Sequence, residues 1–312
     1  MSGKRTQRLD ASVEGLARAA AMLREGGVVA VPTETVYGLA ARADSAAAVA
    51  EIYRAKGRPE FNPLIVHVES VEMARTLGRI GREAERLAAH FWPGPLTLVV
   101  PLAEDAPVAA AVTAGLPTIA LRLPDHTAMR ALIAELGAPL AAPSANRSGG
   151  VSPTSAAHVA CSLEGRIDAI LDGGPTIRGI ESTIVALRAG GWELLRPGPL
   201  PSGAIAAVLG PPLAGGSSHI EAPGQLASHY SPGKPVRLGA TAAQAEEFHI
   251  GFGPIAGDCN LAENGDLALA AARLYACLHE AAASSRPRVA VAPVPDEGIG
   301  VALNDRLRRA AA

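Results

Sequence analysis

The sequence has few aromatic side chains, although it is rich in apolar residues. Aromatic residues make up 3% of its 312 positions, against a hydrophobic share of 48%. The core must therefore be built mainly from small aliphatic side chains, which suits helices packed closely on a sheet. A chain of this length exceeds the roughly 250–300 residues at which one core usually stops growing, so two domains are expected.

Cysteines are also scarce. The three present, Cys161, Cys259 and Cys277, are far apart, odd in number and outside any CxxC pattern. This spacing argues against a zinc site and against a disulfide framework. We expect all three to be buried small hydrophobes.

The sequence lacks a strong charge of either sign, a basic tract and a long apolar segment. Its formal net charge is −2, and no block of five or more Lys and Arg residues occurs. Direct, tight binding to nucleic acid, including tRNA, is therefore not favoured. The longest apolar run, Ala106–Leu121, is interrupted by Gly115 and Pro117 and is too short to span a bilayer. No signal-peptide pattern follows the N-terminus. A soluble, cytoplasmic protein without membrane contact is expected.

Short β-rich runs alternate with helical ones from Gly26 to Leu209, which is typical of an α/β domain. A close strand pair joined through Ala189–Gly191 indicates a hairpin, so the sheet should be mixed. The predicted strands are Val28–Pro32, Pro63–Val68, Leu96–Pro101, Thr118–Leu123, Leu140–Ala142, Ala169–Leu171, Ser182–Leu187 and Trp192–Leu195. The predicted helices are Ser45–Lys56, Val71–Leu77, Arg82–Phe91, Thr127–Leu136 and Thr154–Leu163.

A Pro-, Gly- and Ser-rich segment separates this part from a smaller unit. We predict a first domain at residues 1–210, a linker at 211–234 and a C-terminal domain at 235–312. The C-terminal domain should be α/β with a parallel sheet. Its predicted strands are Pro235–Leu238, one near Phe248–Phe252 and Arg288–Ala292, and its predicted helices are Leu267–Ala282 and Ile299–Arg309.

Two polar segments follow helices or strands of the first domain and have two interpretations each. Residues 32–39, PTETVYGL, stand where α/β proteins place ligands, but Thr33 could equally cap a helix with Glu34 in its first turn. Lys56 and Arg58 flank a Gly and precede a Pro, an arrangement suited to phosphate oxygens. They could instead be ordinary partners of a helix dipole.

Two polar side chains stand in apolar strands. His67 alternates with apolar neighbours, and a lone histidine there is more often a satisfied core residue than a catalyst. The Arg122 guanidinium lies in the run Ile119–Pro124, where burial demands a carboxylate or phosphate partner. An internal salt bridge and a bound substrate carboxylate explain it comparably well.

Further polar segments lie at other strand ends. Residues 143–154, PSANRSGGVSPT, have the ingredients of a phosphate cradle but neither P-loop nor Rossmann spacing. Residues 179–184 place a hydroxyl pair at a strand start, and Arg196 follows the hairpin. One shared pocket is the economical interpretation. Without a nucleophile–base set, a paired-carboxylate signature or a metal cluster, it should orient reactants rather than attack them covalently.

At these positions the chain closely resembles the Sua5/YrdC family of threonylcarbamoyl-AMP synthases, in the long Sua5 form with an extra C-terminal domain. The resemblance covers nearly the whole first domain and extends through Ser228–Pro232 to Gly298–Gly300 and Asn304–Arg306. The matching segments, in family order, are PTETVYGL at 32–39, KGRP at 56–59, NPLIVHV at 62–68, FWPGPLT at 91–97, ALRLP at 120–124, APSANRSG at 142–149, SPT at 152–154, ESTI at 181–184 and RPG at 196–198.

The resemblance implies a twisted mixed sheet around a large open cavity, a smaller Rossmann-like domain, and a linker over the cavity. Threonine would bind deep inside and ATP nearer the mouth. The positions that match threonine contacts are Thr35, His67, Arg122, Ala142 and Ser182. Those that match ATP contacts are Lys56, Arg58, Asn62, Thr118, Ser144, Asn146, Ser152, Arg196 and Tyr230, of which Lys56, Arg58, Ser144 and Asn146 match the family's catalytic signature. Gly150 departs from the many relatives that carry a basic residue there.

The implied reaction joins L-threonine, bicarbonate or CO₂, and ATP with Mg²⁺, releases pyrophosphate, and supplies an intermediate for threonylcarbamoyladenosine in tRNA. A separate transferase complex would take the product, and the enzyme would be a monomer or dimer. Two other functions stay open. An RNA-binding module is disfavoured by the charge, and carbamoyl-adenylate chemistry would require carbamoyl phosphate together with acylphosphatase and zinc-finger regions.

Overall fold

The computed structural model describes residues 4–213, 221–224 and 228–312, and within them the chain forms two sheets. The larger sheet has the order β1-β8-β2-β3-β7-β4-β6-β5-β9-β10 and mixes parallel and antiparallel pairs. The predicted mixed sheet is confirmed. Its strands are β1 (Gln7–Asp10), β2 (Val29–Val31), β3 (Gly38–Arg42), β4 (Ile65–His67), β5 (Leu96–Pro101), β6 (Thr118–Arg122), β7 (Leu140–Ala141), β8 (Ala169–Asp172), β9 (Thr183–Arg188) and β10 (Gly191–Arg196).

Helices cover this sheet and bury aliphatic side chains against it. They are α1 (Val13–Arg24), α2 (Ala46–Lys56), α3 (Val71–Leu77), α4 (Arg82–Phe91), α5 (Ala110–Thr113), α6 (Thr127–Leu136), α7 (Ala156–Leu163) and α8 (Ser202–Leu209). The ends of α2 follow from its sequence. Ser45 caps the start by accepting a hydrogen bond from the Ala48 amide, and Gly57 ends the helix in a left-handed conformation with φ 60°. This abrupt end brings Lys56 and Arg58 to one edge of the sheet.

The smaller sheet has the order β11-β14-β12-β13, and every pair in it is parallel, as predicted. Its strands are β11 (Val236–Leu238), β12 (Glu247–Gly251), β13 (Cys259–Asn260) and β14 (Arg288–Val291), and its helices are α9 (Leu267–Ala283) and α10 (Gly300–Ala311). The α9 and α10 helices bury their apolar faces in one core with this sheet. Residues 214–220 and 225–227 of the predicted linker lie outside the described residues.

The segment after β2 differs from one of its two predictions. Residues 33–37 form no helix; they turn the chain into β3, which runs antiparallel to β2. The Thr33 hydroxyl stabilises this turn, since it accepts from the Thr35 and Val36 amides and donates to the Val36 carbonyl at 2.7 Å. The helix-cap interpretation of Thr33 is therefore wrong, because the hydroxyl satisfies a turn instead.

The cysteines are free, as predicted, but only Cys277 is buried. Cys259 is half-buried and Cys161 is exposed on α7, so the prediction that all three are buried is wrong for Cys161. Among the described residues, every helix is too short or too polar to cross a bilayer.

The two units touch at Gly179, which approaches the backbone of α9. A Cβ atom at this position would lie 2.3 Å from the Ala271 carbonyl oxygen and 2.4 Å from the Ala272 Cα. Its φ of 72° also favours glycine. Only a residue without a side chain allows the loop before β9 to pack this closely on the C-terminal unit.

We expect Gly179→Ala to destabilise the protein more than Gly174→Ala. Both glycines have a positive φ, which costs roughly 1–2 kcal/mol for alanine. An added Cβ at Gly174 meets nothing within 4 Å, whereas at Gly179 overpacking adds roughly 1–3 kcal/mol. Urea denaturation of both variants measures the difference. Equal losses would show that α9 does not pack on Gly179 in solution.

Candidate functional site

A cleft, partly open to solvent, lies against the central strands of the larger sheet. Its walls come from the β2–β3 turn, β4, the end of β6, the loop after β7, the segment before β9, the end of β10 and the linker. The residues that line it are Thr33, Thr35, Val36, Gly38, Arg58, Ile65, His67, Arg122, Ala142, Pro143, Ser144, Glu181, Ser182, Arg196, Pro223, Gly224, His229 and Tyr230. The polar segments that the sequence places at separate strand ends therefore share one pocket.

Arg122 lies in this cleft with an internal carboxylate beside it. Its Nη2 is 2.6 Å from Glu34 Oε1, and both side chains are almost fully buried. The contact is an ion pair without hydrogen-bond geometry, since neither Glu34 oxygen nor Arg122 Nη2 has a hydrogen-bond partner among the described residues. Nη1 donates to the Thr35 hydroxyl at 3.0 Å and Nε to the Gly94 carbonyl at 3.2 Å. The internal ion pair is thus present, and the guanidinium still faces the cleft.

His67 stands beside Arg122, because β4 and β6 are parallel with these two residues in register. Neither ring nitrogen has a hydrogen-bond partner among the described residues, although the side chain is buried. His67 also lines the cleft, which favours a ligand-facing histidine over a residue of the closed core. Burial, and then the neighbouring Arg122 charge, lower the pKa of His67 to about 3, so the ring is neutral and one nitrogen can accept a hydrogen bond from a ligand.

Ser182 and Arg196 form the opposite wall. The Ser182 hydroxyl lies 2.7 Å from the Thr97 hydroxyl on β5 and accepts from Arg196 Nη2 at 3.1 Å. Arg196 also donates to the Ser182 carbonyl through Nε and Nη2, and to the Pro223 carbonyl of the linker through Nη1 at 3.3 Å. These uncharged acceptors fix the Arg196 guanidinium. No carboxylate among the described residues forms a salt bridge with it, although the Glu181 charge acts on it at longer range.

Arg58 is a second guanidinium held by backbone carbonyls. It donates to the Asn62 carbonyl at 3.1 Å and to the Pro63 carbonyl at 2.8 Å. Burial lowers the pKa of Arg58 to about 10, so it stays charged at neutral pH. Asn62 Oδ1 is buried without a hydrogen-bond partner in the described part of the chain. Ile65 on β4 pairs with Ala120 on β6. Thr118, the first residue of β6, therefore lies at the same end of the sheet as Asn62 and Pro63, which precede β4.

Lys56 contacts the loop after β7. Its ammonium donates to the Ser144 and Asn146 carbonyls, each at 2.5 Å, and is buried. Burial lowers the pKa of Lys56 well below its usual value. Five residues predicted to contact ATP are not among the described residues that line the cleft, so their direct contact with the nucleotide stays a prediction: Lys56, Asn62, Thr118, Asn146 and Ser152. The observed contacts of Lys56 fix the loop that presents Ser144.

The loop after β7 is held by its own side chains. Asn146 donates to the Arg147 and Gly150 carbonyls at 2.9 and 2.8 Å, and its Oδ1 is buried without a partner among the described residues. Ser152 donates to Glu181 Oε1 at 2.6 Å. Ala142 lines the cleft and donates its amide to the Ile65 carbonyl at 3.0 Å. These hydrogen bonds fix the conformation of the loop, and its Ser144 lines the cleft.

Tyr230 closes the cleft from the linker side. Its side chain is 1% exposed, and its φ of 66° is unusual for a residue with a Cβ. The adjacent Ser231 amide donates to the Gly149 carbonyl at 2.9 Å, so the linker is attached to the loop after β7. Such strain at a ligand-facing residue is typical of functional sites.

Sequence reasoning missed several residues of this site. Glu181 and Glu34 lie within the quoted motifs, and their signal was a lone carboxylate beside hydroxyl residues at a strand end, as in Thr33–Thr35 and Glu181–Thr183. His229 stands next to Tyr230 in the cleft wall, and burial lowers its pKa to about 4. Tyr275 and Arg306 contact Glu181 from α9 and α10. Arg306 lies in the matching segment Asn304–Arg306, but no local pattern pairs it or Tyr275 with Glu181, which is about 100 residues away in sequence.

The cleft can bind an anion and a small polar ligand side by side. Arg58 and Arg196 present charges for phosphate oxygens, while Arg122, His67 and Thr35 surround a pocket suited to a carboxylate with polar substituents. The described residues contain no group of three His, Cys, Asp or Glu that could hold a metal ion. The arrangement fits orientation and charge stabilisation of two bound reactants.

Comparisons with known proteins agree with this arrangement. A family model for the Sua5, YciO and YrdC proteins, described as telomere recombination, matches residues 21–198. A second model, described as the C-terminal domain of threonylcarbamoyl-AMP synthase, matches residues 201–312. The threonylcarbamoyl-AMP synthase of Bacillus subtilis is 40% identical over 98% of this chain and 95% of its own length.

Solved structures give the same result. The crystal structure of Pyrococcus abyssi Sua5 complexed with L-threonine matches with a TM-score of 0.89 and 36% identity, covering 98% of this chain and 97% of that one. The Escherichia coli YciO structure matches 62% of this chain and 96% of its own with a TM-score of 0.54 at 20% identity, a likeness of fold alone.

We expect His67→Gln to make the protein less sensitive to acid. The unfolded chain protonates this imidazole below pH 6.5, whereas the folded protein does so only near pH 3. The free energy of unfolding therefore falls as the pH drops through this window, by about 1.4 kcal/mol per pH unit for one proton. Urea denaturation should show that the free energy of unfolding falls between pH 7 and pH 5 by about 2 kcal/mol less in the variant than in the wild type.

The matched control is His90→Gln, since His90 is exposed on α4 and its removal leaves the buried imidazoles in place. An equal pH dependence in His67→Gln and wild type would contradict the buried, neutral state of His67.

Proposed function

Because the chain belongs to the Sua5/YrdC family, we propose that it synthesises L-threonylcarbamoyl-AMP from L-threonine, bicarbonate and ATP and releases pyrophosphate. The observation that supports this best is the pairing of Arg122 with a neutral His67, whose ring has no hydrogen-bond partner among the described residues, in a cleft that Arg58 and Arg196 also line. The Pyrococcus abyssi relative, complexed with L-threonine, has the same overall fold.

Threonine would bind at the Arg122 end. The guanidinium would hold the α-carboxylate, with Glu34 and Thr35 fixing its orientation from behind. His67 and Ser182 would contact the hydroxyl and amine. The free amine would then attack the carbon of bicarbonate, forming a C–N bond and losing water, to give the N-carboxylate.

The N-carboxylate oxygen would next attack the α-phosphorus of ATP. One P–O bond forms, the bond to the β-phosphate breaks, and pyrophosphate leaves with the electron pair. Negative charge grows on the phosphoryl oxygens, where Arg58 and Arg196 would offset it. Ser144 and Ser152 would position the nucleotide, and Lys56 and Asn146 would hold their loop.

Mg²⁺ would accompany ATP rather than bind a carboxylate cage. Glu181, the acidic residue in the cleft wall, is occupied by Ser152, Tyr275 and Arg306. This fits a cation that keeps its waters and is held by the triphosphate, whose charge it would partly neutralise. We therefore propose no protein ligand for it.

The linker would act as a lid. Tyr230 and Pro223 already contact the cleft, and the Ser231–Gly149 hydrogen bond attaches the linker to the nucleotide side. Excluding water there would protect the mixed anhydride, which hydrolyses readily. The product would pass to a separate tRNA threonylcarbamoyl transferase in the cytoplasm.

The direct test incubates the purified protein with ATP, Mg²⁺, bicarbonate and mass-tagged L-threonine. We expect threonylcarbamoyl-AMP and pyrophosphate in equal amounts, dependent on both threonine and bicarbonate. Omitting Mg²⁺ should abolish the product. Nucleotide binding without product would overturn the proposal.

Arg122→Met should raise the KM for threonine by about 10- to 100-fold with a smaller effect on the KM for ATP, because charged hydrogen bonds are worth roughly 1.5–3 kcal/mol. The double variant Glu34→Gln/Arg122→Met avoids leaving Glu34 unpaired, so it separates binding from folding. Arg130→Met, an exposed change on α6, is the control. Unchanged threonine affinity in the folded double variant would refute the assignment of Arg122.

A further inference from the structure

Glu181 joins the cleft to the C-terminal unit. It is 7% exposed and stands in the cleft wall directly before Ser182. Ser152 donates to its Oε1 at 2.6 Å from the catalytic side. From the other side, the Tyr275 hydroxyl on α9 lies 2.8 Å from Oε2, and Arg306 Nε on α10 donates to Oε2 at 3.0 Å. Two residues outside the cleft thus hold a residue inside it.

The charge of Glu181 depends on these contacts. Burial alone raises the pKa of Glu181, but the Arg306 and Arg196 guanidiniums and the Ser152 hydroxyl lower it to about 2. Arg306 is fully buried and forms the ion pair with Glu181. Removing one partner of a buried pair leaves an uncompensated charge, which is strongly destabilising at that position. Without Arg306, the carboxylate must take up a proton or turn away from Ser152.

A displaced Glu181 would disturb the nucleotide side in particular. Ser152 would lose the acceptor that orients its hydroxyl. The next residue, Ser182, provides the carbonyl and the hydroxyl that fix Arg196. Both Ser152 and Arg196 belong to the set proposed to face ATP. Arg122 and His67 lie on β6 and β4, and in the described part of the chain neither forms a hydrogen bond or an ion pair with Glu181.

The same two residues support the linker. The Arg306 guanidinium carbon lies 5.5 Å from the centre of the Tyr230 ring, and that ring stacks on Tyr275 with centroids 5.5 Å apart. A cation over an aromatic face and a stacked ring pair both stabilise Tyr230 in its left-handed conformation. Tyr275 and Arg306 therefore contact two separate walls of the cleft.

We infer that Arg306 and Tyr275 are positioning residues through which the C-terminal domain shapes the ATP half of the catalytic cleft, by fixing Glu181 and Tyr230. The inference rests on the proposed function, since it concerns the ATP side of that reaction. It gives the C-terminal domain a part in nucleotide binding, although neither residue lines the cleft.

Arg306→Met tests this. We expect the KM for ATP to rise about 10-fold or more, while the KM for threonine rises by a smaller factor. Tyr275→Phe, which removes one hydroxyl and keeps the ring stack, should raise the KM for ATP about threefold. Equal changes in both KM values, or unchanged ATP affinity, would overturn the inference.

Two further variants separate positioning from loss of structure. Arg306→Lys keeps the charge and should recover part of the ATP affinity. Glu181→Gln/Arg306→Met removes both charges, so it should bind ATP more tightly than Arg306→Met alone. A role through Glu181 would be contradicted if Arg306→Lys or the double variant bound ATP more weakly than Arg306→Met. Arg308→Met, an exposed change on the same helix, is the matched control and should leave both KM values unchanged.

Equilibrium binding of a non-hydrolysable ATP analogue, measured on variants with wild-type circular dichroism, provides a readout independent of product. If the wild type binds the analogue but makes no threonylcarbamoyl-AMP, the proposed function fails while the binding comparison still decides the present inference. If Arg306→Met does not fold, Tyr275→Phe alone carries the test.

Discussion

The burial of positive charge is the constraint on which this structure depends. Lys56, Arg58, Arg122, Arg196 and Arg306 are all buried to at least nine-tenths, in a chain whose net charge is close to zero. Taking a cation out of water costs several kcal/mol unless partners replace the water. Backbone carbonyls do so for Lys56, Arg58 and Arg196, and carboxylates do so for Arg122 and Arg306.

Carbonyl partners and carboxylate partners have different chemical consequences for a buried cation. A carbonyl satisfies hydrogen bonds without cancelling a full charge, so Arg58 and Arg196 keep an electrostatic field for an incoming anion. A carboxylate cancels the charge, and it does so incompletely at Arg122, where the ion pair lacks hydrogen-bond geometry. The cleft therefore holds its cations in place before any ligand arrives, and this preorganisation reduces the reorganisation that binding and catalysis require.

Much of the fold could be predicted from local patterns. Alternating runs predicted the mixed sheet, the parallel C-terminal sheet and helices such as α9, because those elements bury periodic apolar faces. The strand β3 was not predicted, since the turn chemistry of Thr33 is equally compatible with a helix cap. The exposure of Cys161 was not predicted either, because burial depends on which face of α7 meets the sheet.

The site was predictable where its residues lie in short motifs at strand ends. Those motifs placed Arg58, His67, Arg122, Ser144 and Ser182 in one cleft, as the structure has them. The sequence could not distinguish a residue that faces the ligand from one that holds the loop behind it, as Lys56 illustrates. It also could not pair Glu181 with Tyr275 and Arg306, because only the tertiary fold brings these segments together.

The scarcity of aromatic residues has a spectroscopic consequence. The chain has four tyrosines and two tryptophans. Tyr230 and Tyr275 stack at the cleft, Tyr53 donates to the Asn62 carbonyl, and Trp92 lies two residues before Gly94, which accepts from Arg122. Half of the tyrosines therefore lie at or next to the ligand site, since Tyr230 lines the cleft and Tyr275 stacks on it. Their near-ultraviolet absorbance should change when a ligand enters the cleft, so occupancy can be followed optically without an added label.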